Sequence, residues 1–238
     1  MKRYAFLLLL IFTLQCHAQA ALAAILFGDK VASENFNIGM EFGALLANIS
    51  DAPGSRAKIG FNFGISTNIK LSENWSLHPS AYFISSRGGK LETLSLASND
   101  PELNSKFQEV PTTVWVNYID VPVFLNYRFT DSNFKVGLAP QVSFRTTAHG
   151  IFSNDEGDFR YSIKEDAHAI DFGMIAQVGY VLFSENKPRE IHVQLRYFQG
   201  FTDVFEDSLV AGNNTNHYIA LFLSLPFIAK AETKTETD

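Results

Sequence analysis

The stretch FKVGLAPQVSFR, residues 134–145, decides the fold. Phe134, Val136, Leu138, Val142 and Phe144 share one face, while Lys135, Gly137, Ala139, Gln141, Ser143 and Arg145 share the other. A period of two belongs to a strand with one apolar and one polar side; a helix, at ~3.6 residues per turn, cannot place side chains that way. Outward from this segment the pattern recurs at 36–44, where Phe36, Ile38, Met40, Phe42 and Ala44 alternate with Asn37, Gly39, Glu41 and Gly43, and at 59–69. Strands are also predicted at 75–87, 114–129, 169–183, 191–200 and 218–227, with 134–147 completing a set of eight. Most of them reach the ~9 to 11 residues that a tilted strand needs to cross a bilayer.

The connections alternate in length. Short links at 71–74, 130–133 and 184–189 take turns with long ones at 48–57, 88–113, 148–168 and 201–217, so short and long ends fall on opposite rims. That is the construction of an outer-membrane barrel, with short periplasmic turns and long outward loops. Aromatic residues bunch near the short-turn rim (Phe36, Trp75, Tyr127, Phe129, Phe134 and Phe227), and the polar face is built from Gly, Asn, Ser and Gln. A secreted lipocalin-like barrel would reverse the faces and carry more Lys and Glu outside. The reading is therefore all-β: an eight-stranded antiparallel up-and-down transmembrane β-barrel over 36–227. Phe61, Phe63, Val136, Leu138, Ile191, Val193, Leu221 and Leu223 should point out of it, and Asn62, Gln141, Gln194 and Arg196 in.

Composition agrees. Of 238 residues, 46% are hydrophobic, 18% charged and 22 are Phe, which excludes a disordered chain, and a net charge of -6 does not suit a nucleic-acid binder. Lys2 and Arg3, the apolar run 4–14, and Ala18 and Ala20 follow the order of a secretory signal peptide. The expected organisation is a signal peptide at 1–18, a periplasmic segment at 19–35, the barrel, and a polar tail at 228–238. An uncleaved anchor is disfavoured because Gln15, His17 and Gln19 interrupt the run, and a lipoprotein because Gln15 precedes Cys16. Cys16 is the lone cysteine and would leave with the signal, so disulfides and Cys-rich metal sites are excluded.

The runs YIDVPVFLNYRF (118–129), FKVGLAPQVSF (134–144), DFGMIAQVGY (171–180) and VQLRYFQGFTDV (193–204) resemble the PorT-like outer-membrane β-barrel family of Gram-negative bacteria. The resemblance spans about 36–227 and is most specific in the Tyr-Ile-Asp-Val-Pro phrase. It implies an eight-stranded barrel in the outer membrane, and some relatives are similar to components of type IX secretion and gliding machinery.

Chemistry is sparse. His78, His149, His168, His192 and His217 share no metal spacing, the acidic run at Asn154, Asp155, Glu156 and Asp158 lacks the Ca²⁺-loop order, and no midstrand Ser/His pair suggests an acyl hydrolase. No catalytic, metal or cofactor residue is assigned. The polar face instead predicts a structural charge network in the lumen: Glu41, Asp120, Arg145, Asp171 and Arg196. Charges in so narrow a barrel must be paired or hydrated. Counting from the short-turn rim, Glu41 and Arg196 should meet near midheight, and Arg145 should lie between Asp120 and Asp171. The expected role is structural or interactive, with a side-chain-filled lumen; outer-membrane lipid and, through the long loops, envelope proteins are the expected partners. An accessory part of a type IX-like apparatus, a lipid-modifying enzyme and a secreted binding barrel are the alternatives. Nothing in the chain sets an oligomeric state.

Overall fold

The computed structural model describes residues 36–183 and 191–228. They form strands β1 (Phe36–Ile49), β2 (Lys58–Lys70), β3 (Trp75–Leu94), β4 (Val110–Arg128), β5 (Phe134–Asn154), β6 (Gly157–Ser162), β7 (Ile170–Phe183), β8 (Ile191–Asp203) and β9 (Thr215–Ile228), and one short helix, α1 (Pro101–Lys106). Eight strands close a ring in the order β1-β2-β3-β4-β5-β7-β8-β9, each antiparallel to its neighbours, and β9 returns to β1. The expected signal peptide, the segment 19–35 and the turn at 184–189 lie outside the described residues. So do residues 229–238 of the expected tail, whereas Ile228 closes β9.

The wall is apolar toward its surroundings. Phe61, Val136, Leu138, Leu221 and Leu223 are exposed, whereas Asn62, Gln141, Gln194 and Arg196 are buried in the interior. At the short-turn rim the aromatics meet edge to face: Trp75 and Tyr127 with ring centres 5.0 Å apart, Phe134 and Tyr180 at 4.9 Å. Such a girdle suits the boundary between hydrocarbon and water.

Three expectations need correction at the long-loop end. First, β3, β4 and β5 run well past the expected limits, and residues expected to be loop at 148–168 include a ninth strand, β6, which folds back on β5. The acidic run makes that hairpin's turn: Asn154 Oδ1 accepts from the amides of Glu156 and Gly157, and Asp158 accepts from Ser153 Oγ. Second, alternation along β3 and β5 changes phase. Tyr82 and Ser85 are both buried, with Phe83 and Ile84 both exposed between them, because β3 carries one extra residue against β2 and β4. A bulge of this kind seats two residues opposite one. Thr146 and Thr147 do the same in β5. Third, the interior at this end is apolar. Ile49, Leu91, Leu96, Phe107, Val114, Phe152, Ile163 and Phe205 belong to one buried cluster to which all four long connections contribute. Polarity thus inverts along the wall, apolar outward where lipid surrounds it and apolar inward where water does.

Candidate functional site in the lumen

Beneath the apolar cap, two arginine clusters stack along the lumen. Strands β3, β4, β5, β7, β8 and β9 build the upper one. Asp120 faces Ser143 in the β4–β5 register, and Ser143 faces Asp171 in the β5–β7 register, so the three share one row. Arg87 reaches all of them: Nη2 lies 2.5 Å from Asp120 Oδ1 and donates to Ser143 Oγ at 3.0 Å, while Nη1 donates to Asp171 Oδ2 at 2.9 Å. Asp171 also accepts from Asn216 Nδ2 at 2.9 Å and Thr202 Oγ1 at 3.0 Å. The rings of Tyr118 and Phe198 lie 4.6 and 4.7 Å from the guanidinium carbon.

Nearer the short turns, Arg196 does the equivalent work. Its Nη2 donates to Glu41 Oε2 at 2.9 Å, its Nε to Gln177 Oε1 at 2.9 Å, and it also bonds Tyr82 and Gln194. Glu41 in turn accepts from the Tyr82 hydroxyl and meets His78 Nε2 at 2.9 Å. Phe222 and Phe124 pack at 4.0 and 4.6 Å from the guanidinium carbon. Below this cluster the lumen widens into a polar vestibule of about 530 Å³, lined by Ser66, Asn68, His78, Asn126 and Lys135 among others, which opens at the short-turn rim.

The structure brings Glu41 and Arg196 together and sets Asp120 and Asp171 in one row. Arg145 is not between them, and that expectation is corrected. β7 begins at Ile170, opposite Phe144, so Arg145 lies beyond the end of that ladder and its Nε donates to the His168 carbonyl at 3.0 Å. Arg87 takes the place. Unbroken alternation from His78, Ser80 and Tyr82 would turn Arg87 outward; the bulge at Phe83 and Ile84 turns it in. The doublet of apolar residues followed by Ser85 and Ser86 was the available signal. The aromatic plating was also missed, although Phe198 and Phe124 share faces with Arg196 and Asp120 in simple alternation.

Both clusters are buried and charged, and each guanidinium bonds several side chains. They fasten strands that do not touch in the sheet, since Arg87 ties β3 to β7 and Arg196 ties β8 to β1. Among the described residues, His78, His149 and His168 are engaged by Glu41, Arg160 and Glu206.

A family model described as "Outer membrane protein beta-barrel domain" matches residues 18–206. The chain belongs to this family. It is an outer-membrane barrel, and the exposed apolar belt is its contact with lipid. Among solved structures, the chain is similar to Neisserial surface protein A at 14% identity, covering 82% of this chain and 100% of that one, TM-score 0.40. It is also similar to OprG of Pseudomonas aeruginosa at 11% identity, covering 82% and 94%, TM-score 0.46. The Yersinia pestis attachment invasion locus protein Ail matches at 11% identity, covering 81% and 99%, TM-score 0.39. No curated protein matches the sequence.

Proposed function

We propose that the protein is a non-conducting outer-membrane barrel, without enzymatic activity, whose lumen fastens its wall and whose long-loop end, turned away from the cell, meets other envelope components. The observation that carries this reading is the pair of fully buried arginines, Arg87 and Arg196, held across the lumen beneath an apolar cap. An ion following the lumen would have to break charged pairs in a medium where that is costly, and eight strands leave an interior that side chains fill. The long-loop end, in contrast, is a folded surface with its own core.

Reconstitution of the full chain in planar bilayers tests the lumen: no steady conductance is expected, and an ohmic current would end the proposal. Orientation is tested separately in intact cells. A cysteine at exposed Glu102, in α1, should react with an impermeant maleimide, and one at Asp131, in a short turn, should not; the reverse pattern would turn the barrel over.

A second, finer reading places the barrel beside a type IX-like secretion or gliding apparatus and rests on the resemblance to the PorT-like family. The phrase that carries the resemblance supplies Tyr118 and Asp120, both of which serve Arg87. Co-purification of the tagged barrel with other envelope proteins, lost when the long loops are shortened, supports that reading; recovery of the barrel alone counts against it.

A further inference from the structure

In a closed barrel no strand is an edge, so a proline in the wall always deprives a neighbouring strand of a donor. Three consecutive strands carry one at nearly the same height: Pro79 in β3, Pro122 in β4 and Pro140 in β5. The ladders break where these prolines fall. Between β2 and β3 the pairing skips from Ser66–Ser80 to Ile69–Leu77, between β3 and β4 from Pro79–Val123 to Tyr82–Asp120, and between β4 and β5 from Pro122–Gln141 to Leu125–Leu138. The remaining seams run unbroken through this height: β1 from Phe36 to Ala47 on β2 and from Gly39 to Ile49 on β9, β7 from Gly173 to Val181 on β8, Phe134 to Phe144 of β5 on β7, and His192 to Gln199 of β8 on β9.

Parity tells which carbonyls lose a donor. Phe129 N donates to Phe134 O, so every second residue of β5 from Phe134 turns its amide to β4, and Pro140 has none for Val123. Arg128 N donates to Asn74 O, so even-numbered residues of β3 below its bulge face even-numbered residues of β4, and Pro122 has none for Ser80. Leu71 N donates to Trp75 O, which turns the odd-numbered residues of β3 to β2, and Pro79 has none for Thr67. Outside, this row is flanked by exposed Leu125 and Leu138 on one side and exposed Ile119 and Phe144 on the other, so it lies within the lipid-facing belt. Lipid offers no replacement donor, and an unbonded backbone group there is costly. Inside, the row meets the top of the vestibule. Ser66, opposite Ser80, and His78, beside Pro79, line that space, and the Ser80 hydroxyl is buried with no hydrogen-bond partner among the described residues. Just beyond the break, Arg87 bonds Asp120, Ser143 and Asp171 and so holds β3, β4, β5 and β7 together.

We infer that β2 to β5 form a yielding panel in the wall: the three broken seams part ahead of the rest, take up water from the vestibule at their stranded carbonyls, and let the vestibule widen sideways while the Arg87 row stays closed. The panel goes beyond the role proposed above and requires neither the orientation of the barrel nor a protein partner. Deuterium uptake by the full chain in lipid nanodiscs, resolved by mass spectrometry, tests it. Corrected for intrinsic rates, residues 64–69, 119–125 and 137–143 should exchange about tenfold faster than residues at the same height in β1, β8 and β9. Pro122→Val with Pro140→Val returns two amides to the wall and should slow exchange in 119–125 and 137–143 about tenfold, while 64–69, still cut by Pro79, stays fast. Pro226→Val, near the short-turn rim of β9, should leave the panel as it was. Even uptake around the ring overturns the panel from the unaltered chain alone, whether or not the variants insert. Uptake unchanged by the two valines, or slowed equally by Pro226→Val, would also overturn it.

Discussion

Arg87 and Asp171 meet at 2.9 Å although they are 84 residues apart and their strands, β3 and β7, are separated in the sheet by β4 and β5. The contact crosses the lumen, and Asp120 and Ser143 complete the row that receives the guanidinium. Removing Arg87 leaves two buried carboxylates uncompensated. Urea unfolding of Arg87→Ala in detergent should therefore show a loss of ~3 to 5 kcal/mol. Arg145→Ala, which gives up a bond to a backbone carbonyl at a half-exposed position, should lose about 1 kcal/mol. Equal losses would mean that Arg87 is not the lumen's principal cation.

Glu41 and Arg196 should behave as a coupled unit. Glu41→Gln and Arg196→Met each strand a buried partner, and the double variant should be ~1 to 3 kcal/mol more stable than the sum of the singles implies. The cycle is measured by the same unfolding assay. Strict additivity would show that His78 and Tyr82, rather than Arg196, answer the Glu41 charge.

The bulge in β3 gives a sharper test, because it concerns parity rather than energy. Deleting Phe83 leaves Tyr82 inward, Ile84 outward, and Ser85 and Arg87 inward, so the barrel should still form and migrate heat-modifiably. Deleting Ser86, three residues on, should turn Arg87 toward lipid, where a charge costs ~2 to 4 kcal/mol at midplane, and should abolish the compact band. The opposite pair of results would show that the bulge does not set the orientation of Arg87.

In the fourth long connection, fully buried Asn214 accepts from the amides of Val204 and Phe205 at 3.1 and 2.8 Å and donates to the carbonyls of Val210 and Gly212, both at 2.9 Å. Asn214→Ala leaves the Phe205 amide and the Val210 carbonyl without these partners, at ~1 to 3 kcal/mol, while the Val204 amide and the Gly212 carbonyl keep their bonds to the residue 214 backbone. Limited proteolysis should then cut between residues 204 and 214 well before the barrel wall is touched. Unchanged protection would show that the apolar contacts of Val204, Phe205 and Val210 suffice.

How far the chain could be read follows from what surrounds each part. Where lipid lies outside, every outward residue must be apolar, and 134–144 displays that so cleanly that faces, strand direction and the meeting of Glu41 with Arg196 are all open to counting. Counting fails at Phe83 and Thr146, since one inserted residue reverses every later assignment; Arg87 therefore escapes simple alternation, whereas Arg145 precedes the second bulge and lies beyond the end of the β5–β7 ladder, which counting along one strand does not reveal. β6 was hidden for another reason. Outside the bilayer Phe159 and Tyr161 need only reach the cap while Asp158 and Arg160 meet water, and so brief an alternation does not stand out from a loop.

The cap core has a consequence for the order of assembly. With the long loops outward, Ala52, Phe107, Ile163 and Phe205 come from separate connections, each of which must traverse the bilayer before it can find the others. Their collapse becomes available only on the far side. Once formed it opposes withdrawal of any one hairpin, so insertion is made one-way by a water-driven knot of side chains that never touches lipid.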